Sequence, residues 1–400
     1  MPTPTKRPPR ARESIGFFGG GLALGALGWV FLSAPDTAFE ATAHEPELSR
    51  FTYWKDIRPL LGEHCAGCHV GNSPAPVNLM RYTEVLPWAN AIARQVLTRQ
   101  MPPWLPEDGV GDLAHARTLD ERETNLLVDW AIGLAPEGRP PEEGAAALTD
   151  AGSGSRAAFA DDLPATRLRL EAPVEIGEME SEAALCRPLV RSEGVGTAAS
   201  GFELLPGDAW PILRRARVLI GNGCETAVPL FTWVPGQGRR TRPDGVVDLL
   251  PTGSGLFLEL RYRKSFDTEG LGYVDAPEIV VFPPDRAGGA VVETVALEPG
   301  DSRLPGAALL AVLPPDGLVL GDEGFAVQAV SADGEVEPLL RITRFDEDWA
   351  EKYAFRAPIR LDADISIRVS HPGALVDLIR PGGAAATGAS SPSGPRPEVP

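Results

Sequence analysis

The chain has 400 residues, 43% of them hydrophobic, which is enough for two or three globular domains. Its formal net charge of −18 argues against nucleic-acid binding and against adsorption to anionic lipid. This acidic balance suits a redox partner with a basic docking patch, although it also serves plain solubility.

Residues 1–43 have the pattern of a targeting segment. Four basic residues between positions 6 and 12 precede an apolar run from Ile15 to Ser33. A signal peptide cleaved after Ala43 and an uncleaved membrane anchor both fit, and the distance of Ala43 from the apolar run favours the anchor. No adjacent arginine pair precedes the run. We therefore expect the general secretion route, to the periplasm or to the outer face of the inner membrane.

The stretch Cys65-Ala66-Gly67-Cys68-His69 carries the strongest chemical signal. Two cysteines separated by two residues and followed by histidine are the attachment pattern of haem c. Each thiol can add to one haem vinyl group, and the imidazole of His69 can bind the iron from below. A redox dithiol or half of a zinc site is the alternative. The chain has no second CxxC, CxxH or HxxxH motif for such a zinc site, so we expect one covalent haem c.

Three helices are predicted around this motif. The first covers Phe51–His64. The second opens at Pro87, with Trp88 at the start of its apolar face. The third begins at Thr118, which would form a capping box with Glu121.

The sixth ligand of the haem iron has three candidates. Met101 is followed by Pro102-Pro103-Trp104, and the two prolines give a rigid, extended backbone that could hold a thioether at the iron. Met80 could serve instead or could be a core residue. His115, or an open coordination position, is the remaining possibility.

Five short motifs run through residues 48–138. They are Asp56-Ile57-Arg58-Pro59-Leu60, the Cys65–His69 motif, Trp88-Ala89-Asn90-Ala91-Ile92, Arg99-Gln100-Met101-Pro102-Pro103-Trp104 and Asp129-Trp130-Ala131. Together they resemble the small cytochrome c domain found in many exported proteins of environmental bacteria. The resemblance implies that His69 and Met101 are the axial ligands. Iron with both ligands has no vacancy for oxygen or peroxide, which favours single-electron transfer over peroxidase chemistry.

Residues 139–163 are rich in Pro, Gly, Ala and Ser and are predicted to be a flexible linker. The haem domain would then be loosely placed, unless it docks on the rest of the chain. Beyond the linker, short apolar runs separated by Gly, Pro and Asp predict two all-β sandwiches, at 164–285 and 286–380. The runs are Arg217–Ile220, Gly255–Tyr262, Glu278–Phe282, Ala307–Leu313, Phe325–Val330, Leu339–Phe345 and Ile365–Val369. Residues 381–400 are expected to be a disordered tail.

A second group of motifs lies within these sandwiches. It comprises Phe231-Thr232-Trp233-Val234-Pro235-Gly236, Leu250–Ser254, Leu256–Arg263, Asp333-Gly334, Leu339–Ile342, Phe345–Trp349 and Tyr353. These motifs resemble the two domains of copper type II, ascorbate-dependent monooxygenases, the peptidylglycine hydroxylase family. The resemblance implies a pair of jelly-roll sandwiches.

The copper ligands of that family are not present here. The family uses five histidines and a methionine, and its ligand positions fall near Ala216 and Arg217, at Arg261, and near Asp316–Leu318. Arginine stays protonated and has no lone pair to donate to copper. Of the five histidines (His44, His64, His69, His115 and His371), only His371 lies beyond residue 115. We therefore expect no copper. Glu259, Arg261 and Arg263 share a strand face and form either an ion-pair network or a solvated surface.

Two further cysteines, Cys186 and Cys224, form an even pair in a chain predicted to be exported. A disulfide and two unpaired buried thiols both fit this pattern. The monooxygenase resemblance supports the pairing, because both cysteines fall near cysteine positions of the family's first domain.

The sequence thus predicts a multidomain chain with a small all-α cytochrome c domain at 48–138, followed by two all-β jelly-roll sandwiches. The predicted function is single-electron transfer by an exported cytochrome whose sandwiches bind a partner or position the haem. No catalytic residue is assigned. The main alternative is a monooxygenase in which the haem supplies electrons to the sandwiches, and a third is an assembly subunit with haem as a sensor.

Overall fold

The computed structural model describes residues 47–71, 73–140, 166–253, 255–286 and 288–380. The predicted targeting segment, the linker from residue 141 onward and the predicted tail lie outside the described residues. Within the described part of the chain there are four short α-helices and twenty β-strands, so the protein is mostly β. The predicted β-sandwiches require several multi-stranded sheets and few helices, and the described chain has both features.

The helices occupy residues 47–140, which we call the helical region. They are α1 Arg58–His64, α2 Tyr82–Val85, α3 Ala89–Leu97 and α4 Glu121–Ile132. A π-helical turn, Tyr53–Ile57, leads directly into α1, so the predicted first helix has an irregular start. Tyr53, Leu127 and Trp130 are fully buried in the core of this region, because each presents a large apolar surface to the centre of the helices.

Two helix predictions need correction. The capping box of α4 is formed by Asp120 and Glu123 rather than by Thr118 and Glu121, and both of its hydrogen bonds are present, at 2.7 and 2.8 Å. The sequence offers this pattern twice, because Thr118 precedes Glu121 by three residues and Asp120 precedes Glu123 by three. A helix that starts at the second pair places Leu127 and Trp130 in the core. In α3 the buried side chains are small alanines and Val96, whereas Trp88 is 48% exposed.

The strands follow from Arg167 to the end of the described chain. They are β1 Arg167–Leu170, β2 Val174–Ile176, β3 Glu182–Arg191, β4 Ala198–Ala199, β5 Gly201–Leu205, β6 Leu213–Ile220, β7 Val228–Trp233, β8 Arg240–Thr241, β9 Val246–Leu249, β10 Leu256–Arg263, β11 Tyr273–Asp275, β12 Glu278–Phe282, β13 Ala290–Leu297, β14 Gly300–Arg303, β15 Ala308–Leu313, β16 Phe325–Val330, β17 Val336–Ile342, β18 Tyr353–Arg360, β19 Ser366–Val369 and β20 Ala374–Ile379.

The first β-module is an eight-stranded sheet in the order β7-β6-β10-β3-β1-β12-β5-β8, with the small sheet β11-β2 beside it. The rings of Phe202 in β5 and Phe231 in β7 stack at 5.6 Å, although these strands lie near opposite ends of the sheet. The sheet therefore folds over on itself, and its inner face forms one continuous apolar core.

The second β-module contains a six-stranded sheet, β18-β15-β20-β13-β9-β4, and a four-stranded sheet, β14-β19-β16-β17. Side chains from both sheets share a second core, which is the arrangement of a sandwich. Strands β4 and β9 precede β10 in the chain, yet β9 pairs in parallel with β13. The two modules are therefore joined through a common sheet as well as by side-chain contacts.

Candidate functional site

The Cys65–His69 segment is a tight turn at the end of α1. Cys65 donates its N–H to the carbonyl of Leu61 (2.9 Å) and so ends the helix. The carbonyl of Cys65 then accepts the N–H groups of Cys68 (3.1 Å) and His69 (2.8 Å). The two thiols are therefore held on one turn, half-buried and not bonded to each other.

The environment of these thiols does not promote dithiol chemistry. Burial raises the pKa of Cys65 to about 12, with a smaller contribution from neighbouring Cys68. Burial also raises the pKa of Cys68 to about 11, although Arg117 and Arg214 partly offset it. Redox dithiols and metal-binding thiols need a lowered pKa, because the thiolate is the reactive form. With these raised pKa values, both thiols are protonated at neutral pH in the chain without a bound group.

His69 presents one ring nitrogen for ligation. Its Nδ1 lies 2.9 Å from the carbonyl oxygen of Val77, and since a carbonyl only accepts, Nδ1 carries the proton. The lone pair is then on Nε2, which is the arrangement that fixes the orientation of ligating histidines. Burial also lowers the pKa of His69, which favours the neutral imidazole.

The loop after the motif is fixed to it by further hydrogen bonds. Leu79 donates its N–H to the carbonyl of His69 (3.0 Å). The hydroxyl of Ser73 bonds the carbonyls of Cys68 and Val70, the latter at 2.7 Å. These bonds restrain the chain on both sides of Val77, whose carbonyl accepts the hydrogen bond from the ring of His69.

Met101 lies beside a cavity of about 1090 Å³, slightly larger than the common range of ligand sites. Its N–H donates to the carbonyl of Gln95 in α3 (3.3 Å), and its side chain is 37% exposed. The cavity walls include Val96, Leu97, Trp104, Leu119 and Thr124. The Cys65–His69 turn is not among the residues that line this cavity.

The alternative sixth ligands are placed differently. Met80 is only 4% exposed and packs in the core of the helical region. His115 is exposed and does not line the cavity. Among the three candidates, Met101 alone combines an accessible side chain with a cavity. Two unpaired thiols, an imidazole with a defined lone pair and this thioether together fit the donor set of haem c.

The first β-module packs directly on the motif, a contact that sequence reasoning missed. A Cβ added at Gly67 would lie 2.9 Å from the Cα of Gly236, and one added at Gly236 would lie 3.0 Å from Sγ of Cys68. Gly236 has a φ of 80°, so a side chain there would also strain the backbone. Arg214 adds a hydrogen bond to the carbonyl of Pro74 (2.9 Å). The helical region is therefore docked on the β-modules and not held by a tether alone.

The segment after Met101 joins the second β-module. Pro106 forms an isolated bridge with Ile342, and Leu113 forms one with Phe355. Leu113 is also part of the apolar core of that module. Residues 104–117 thus pair with strands of the second module, although the sequence analysis assigned them to the haem domain.

Arg117 contacts all three parts of the protein. It donates to the carbonyl of Pro235 (3.0 Å) and to the carboxylate of Glu351 (2.7 Å). Its guanidinium lies about equally far from the rings of Trp104 (6.0 Å) and Trp349 (5.9 Å). Nothing in the local sequence pattern marks Arg117, because its hydrogen-bond partners lie more than a hundred positions away.

Arginines and carboxylates occupy the facing surfaces of the two modules. Arg217 pairs with Glu259 on the neighbouring strand and with Asp316 of the second module, both at 2.7 Å. Arg261 reaches Glu347 at 2.5 Å, while Arg263 pairs with buried Asp348. The sequence predicted either an ion-pair network or a solvated surface on this strand face, and the structure has the ion-pair network. In the described part of the chain, no cluster of three or more His, Cys, Asp or Glu side chains is arranged to hold a metal ion.

Cys186 and Cys224 are joined in a disulfide, with their Cα atoms 6.2 Å apart. The bond links β3 to the loop between β6 and β7. A disulfide is compatible with an exported protein, because such bonds persist in oxidising compartments. None of the helices in the described ranges has the length and apolar character needed to span a membrane.

Comparison with known proteins adds little. No family model matches the chain, and no curated protein matches it. Among solved structures, N-glycanase F (PNGase F) is similar with a TM-score of 0.27 and 11% identity, over 54% of this chain and 95% of that chain. A Paenibacillus xanthan lyase is similar with a TM-score of 0.13 and 9% identity, over 55% of this chain and 26% of that chain. Likeness at these TM-scores carries no argument about fold or function.

Proposed function

We propose that this protein is an exported c-type cytochrome with one haem, which transfers single electrons. Cys65 and Cys68 would hold the haem covalently, and His69 and Met101 would be its axial ligands. When bound, the haem supplies the change between Fe(III) and Fe(II). The observation that carries the proposal is the Cys65–His69 turn, in which the hydrogen bond from Nδ1 of His69 to Val77 leaves Nε2 available beside two unpaired thiols.

The chain's own residues would do the remaining work. Val77 fixes the tautomer and orientation of His69. The turn around Gly236 covers Sγ of Cys68 and excludes solvent from that side. Burial of this kind, together with the axial ligands, sets the potential of a haem.

In this proposal the β-modules are two jelly-roll sandwiches that position the haem region and bind a redox partner. One surface of the first module supports partner binding. Met179 and Phe266 are 95% and 90% exposed, and Lys264 joins their loops by donating to the carbonyls of Gly177 (2.6 Å) and Glu178 (2.9 Å). Exposed carboxylates surround them, namely Glu175, Glu178, Glu180, Asp267 and Glu269. An apolar patch with an acidic rim fits a protein with a basic docking patch.

The protein would act in the periplasm or on the outer face of the inner membrane, reached by the general secretion route. The basic and apolar pattern of residues 1–43 supports export, and the segment would anchor the protein if it is not cleaved. The disulfide supports an oxidising compartment.

The test is the iron and copper content of the full chain, matured in a host that attaches haem c. We expect one iron per chain, no stoichiometric copper, and haem that stays on the polypeptide after denaturation. The variant C65A/C68A should lose the retained haem, whereas the matched variant C186A/C224A should keep it.

Two results would overturn the proposal. One is a wild-type chain without covalent haem from a host that matures other c-type cytochromes. The other is stoichiometric copper that survives chelation, which would favour the monooxygenase alternative and direct attention to His371, Met179 and the Cys186–Cys224 pair.

A further inference from the structure

The two segments that carry the proposed axial ligands are anchored to different β-modules. The Cys65–His69 turn lies against the Pro235–Gly236 turn of the first module. The chain after Met101 lies on the second module, where Glu107 donates to the carbonyl of Arg341 and Ala114 to that of Ala354, both at 2.8 Å. The position of Met101 relative to His69 therefore depends on how the two modules are held together.

Met101 has little freedom of its own. On its N-terminal side, Gln95 of α3 accepts the N–H groups of Gln100 (2.8 Å) and Met101 (3.3 Å). On its C-terminal side, only Pro102 and Pro103 separate it from Trp104, whose ring packs edge-on against Tyr353 at 5.3 Å. Because two prolines allow little rotation, the placement of Trp104 restricts the backbone position of Met101.

Arg117 connects these anchors. Its guanidinium bonds Pro235 of the first module and Glu351 of the second, and it lies between the rings of Trp104 and Trp349. A planar guanidinium can donate in two directions and stack at the same time, whereas an ammonium group cannot. Glu351 is itself 2% exposed and also pairs with Arg240 (3.3 Å), so the bond is made in a site largely closed to water.

We infer that Arg117 is a positioning residue for Met101, holding the methionine segment in register with the Cys65–His69 turn by bonding both β-modules at once. The inference rests on the proposed function for the identity of the bound group. The claim that Arg117 restrains the position of the Met101 segment does not depend on haem.

The first measurement uses the full chain before haem attachment. Dilute hydrogen peroxide converts accessible methionine to the sulfoxide, and mass spectrometry gives the rate at each position. Met179, 95% exposed, and Met80, 4% exposed, serve as fast and slow internal references. We expect R117Q to raise the oxidation rate of Met101 several-fold toward that of Met179, with Met80 unchanged. R117K should act in the same direction, and R122Q, at an exposed arginine on α4, should match the wild type.

The second measurement uses the mature protein in both redox states. In R117Q we expect carbon monoxide to bind the ferrous haem readily and the methionine–iron charge-transfer absorption of the ferric haem to weaken, with the haem still covalent. Wild type and R122Q should show neither change.

The outcomes separate the two claims. A folded R117Q with wild-type Met101 oxidation and wild-type carbon monoxide binding overturns the role of Arg117. If Met101 becomes more reactive but no mature chain carries haem, the positioning role stands and the proposed function fails. If R117Q does not fold, E351Q removes the charge of one partner of Arg117, weakens that bond and should give a smaller change in the same direction. Unchanged oxidation of Met101 in E351Q would then count against the inference.

Discussion

Asp377 is the most heavily bonded carboxylate of the second β-module. It is 1% exposed and accepts from Lys352 (2.7 Å), Arg242 (2.9 Å) and Thr294 (2.7 Å). Burial by itself would raise the pKa of Asp377, but the two cations and the hydrogen bonds outweigh it, so the pKa is lowered. The group is therefore charged in the folded protein and compensates two buried cations.

We expect D377N to lower the free energy of unfolding at pH 7 by about 3–5 kcal/mol, because it removes the carboxylate that pairs with Lys352 and one of the two that pair with Arg242, which keeps Asp248. Urea unfolding followed by far-UV circular dichroism would measure the change. D301N is the control, since Asp301 and its partner Arg368 form an ion pair on the surface, and it should change stability far less. Equal effects of the two variants would contradict this account of Asp377.

The lowered pKa of Asp377 predicts that its contribution to the free energy of unfolding depends on pH. Its pKa in the folded protein lies below the ordinary value of about 3.9, so its contribution is complete above that value. The contribution is lost as the pH falls through the lower pKa of the folded state. The difference in unfolding free energy between wild type and D377N should therefore be constant from pH 7 to about pH 5 and shrink below about pH 4. A difference that grows on acidification would contradict the sign of the shift.

Strands were easier to predict than helix details. Glu278–Phe282 and Phe325–Val330 have the predicted bounds, because short apolar runs between Gly, Pro and Asp define buried strands locally. The capping residue of α4 was wrong by two residues, and Trp88 was wrongly placed on a buried face. In both cases the local sequence allows more than one set of residues to face the core. Only tertiary contacts decide which set is buried.

The disulfide links two elements that flank the same strand. β10 pairs with β3 on one side and with β6 on the other, and Cys186 of β3 is bonded to Cys224 just after β6. The bond therefore ties three adjacent strands of the eight-stranded sheet at one place.

We expect the variant C186A/C224A to lose about 4 kcal/mol of stability, the loop-closure value for cysteines separated by 38 positions. Guanidinium unfolding with and without reductant would test this. Reductant should destabilise the wild type by a similar amount and leave the variant unchanged. Wild-type stability that does not respond to full reduction of the bond would contradict the expectation.

The parts of the molecule are joined by charge as well as by packing. Arg215, 4% exposed in β6, pairs with Glu347 (3.2 Å) and Asp316 (3.3 Å) of the second module. Trp210 packs against both the core of the first module and the core of the helical region. These contacts, together with Arg117, predict that the described parts behave as one cooperative unit.

We therefore expect the helical region and the β-modules to unfold in a single transition. Haem absorbance would report the helical region, and far-UV circular dichroism, dominated by the strands, would report the β-modules. Their midpoints in urea should coincide. High salt should lower both midpoints together, because part of the interface is ionic and accessible to solvent. Two separated midpoints would show that the docking seen at Gly236 and Leu113 is too weak to couple the parts.

Local patterns in the sequence were sufficient for the Cys65–His69 motif, the strand-rich C-terminal half and the even pair Cys186 and Cys224. Each of these predictions depends on residue types a few positions apart or on a simple count. Such local features do not depend on how distant parts of the chain fold. The contact of Gly67 with Gly236, the insertion of residues 104–117 into the second module and the bonds of Arg117 depended on the tertiary structure. They join residues more than a hundred positions apart through backbone carbonyls and ring faces, which every residue or many residues can offer, so no spacing in the sequence distinguishes the partners before the chain is folded.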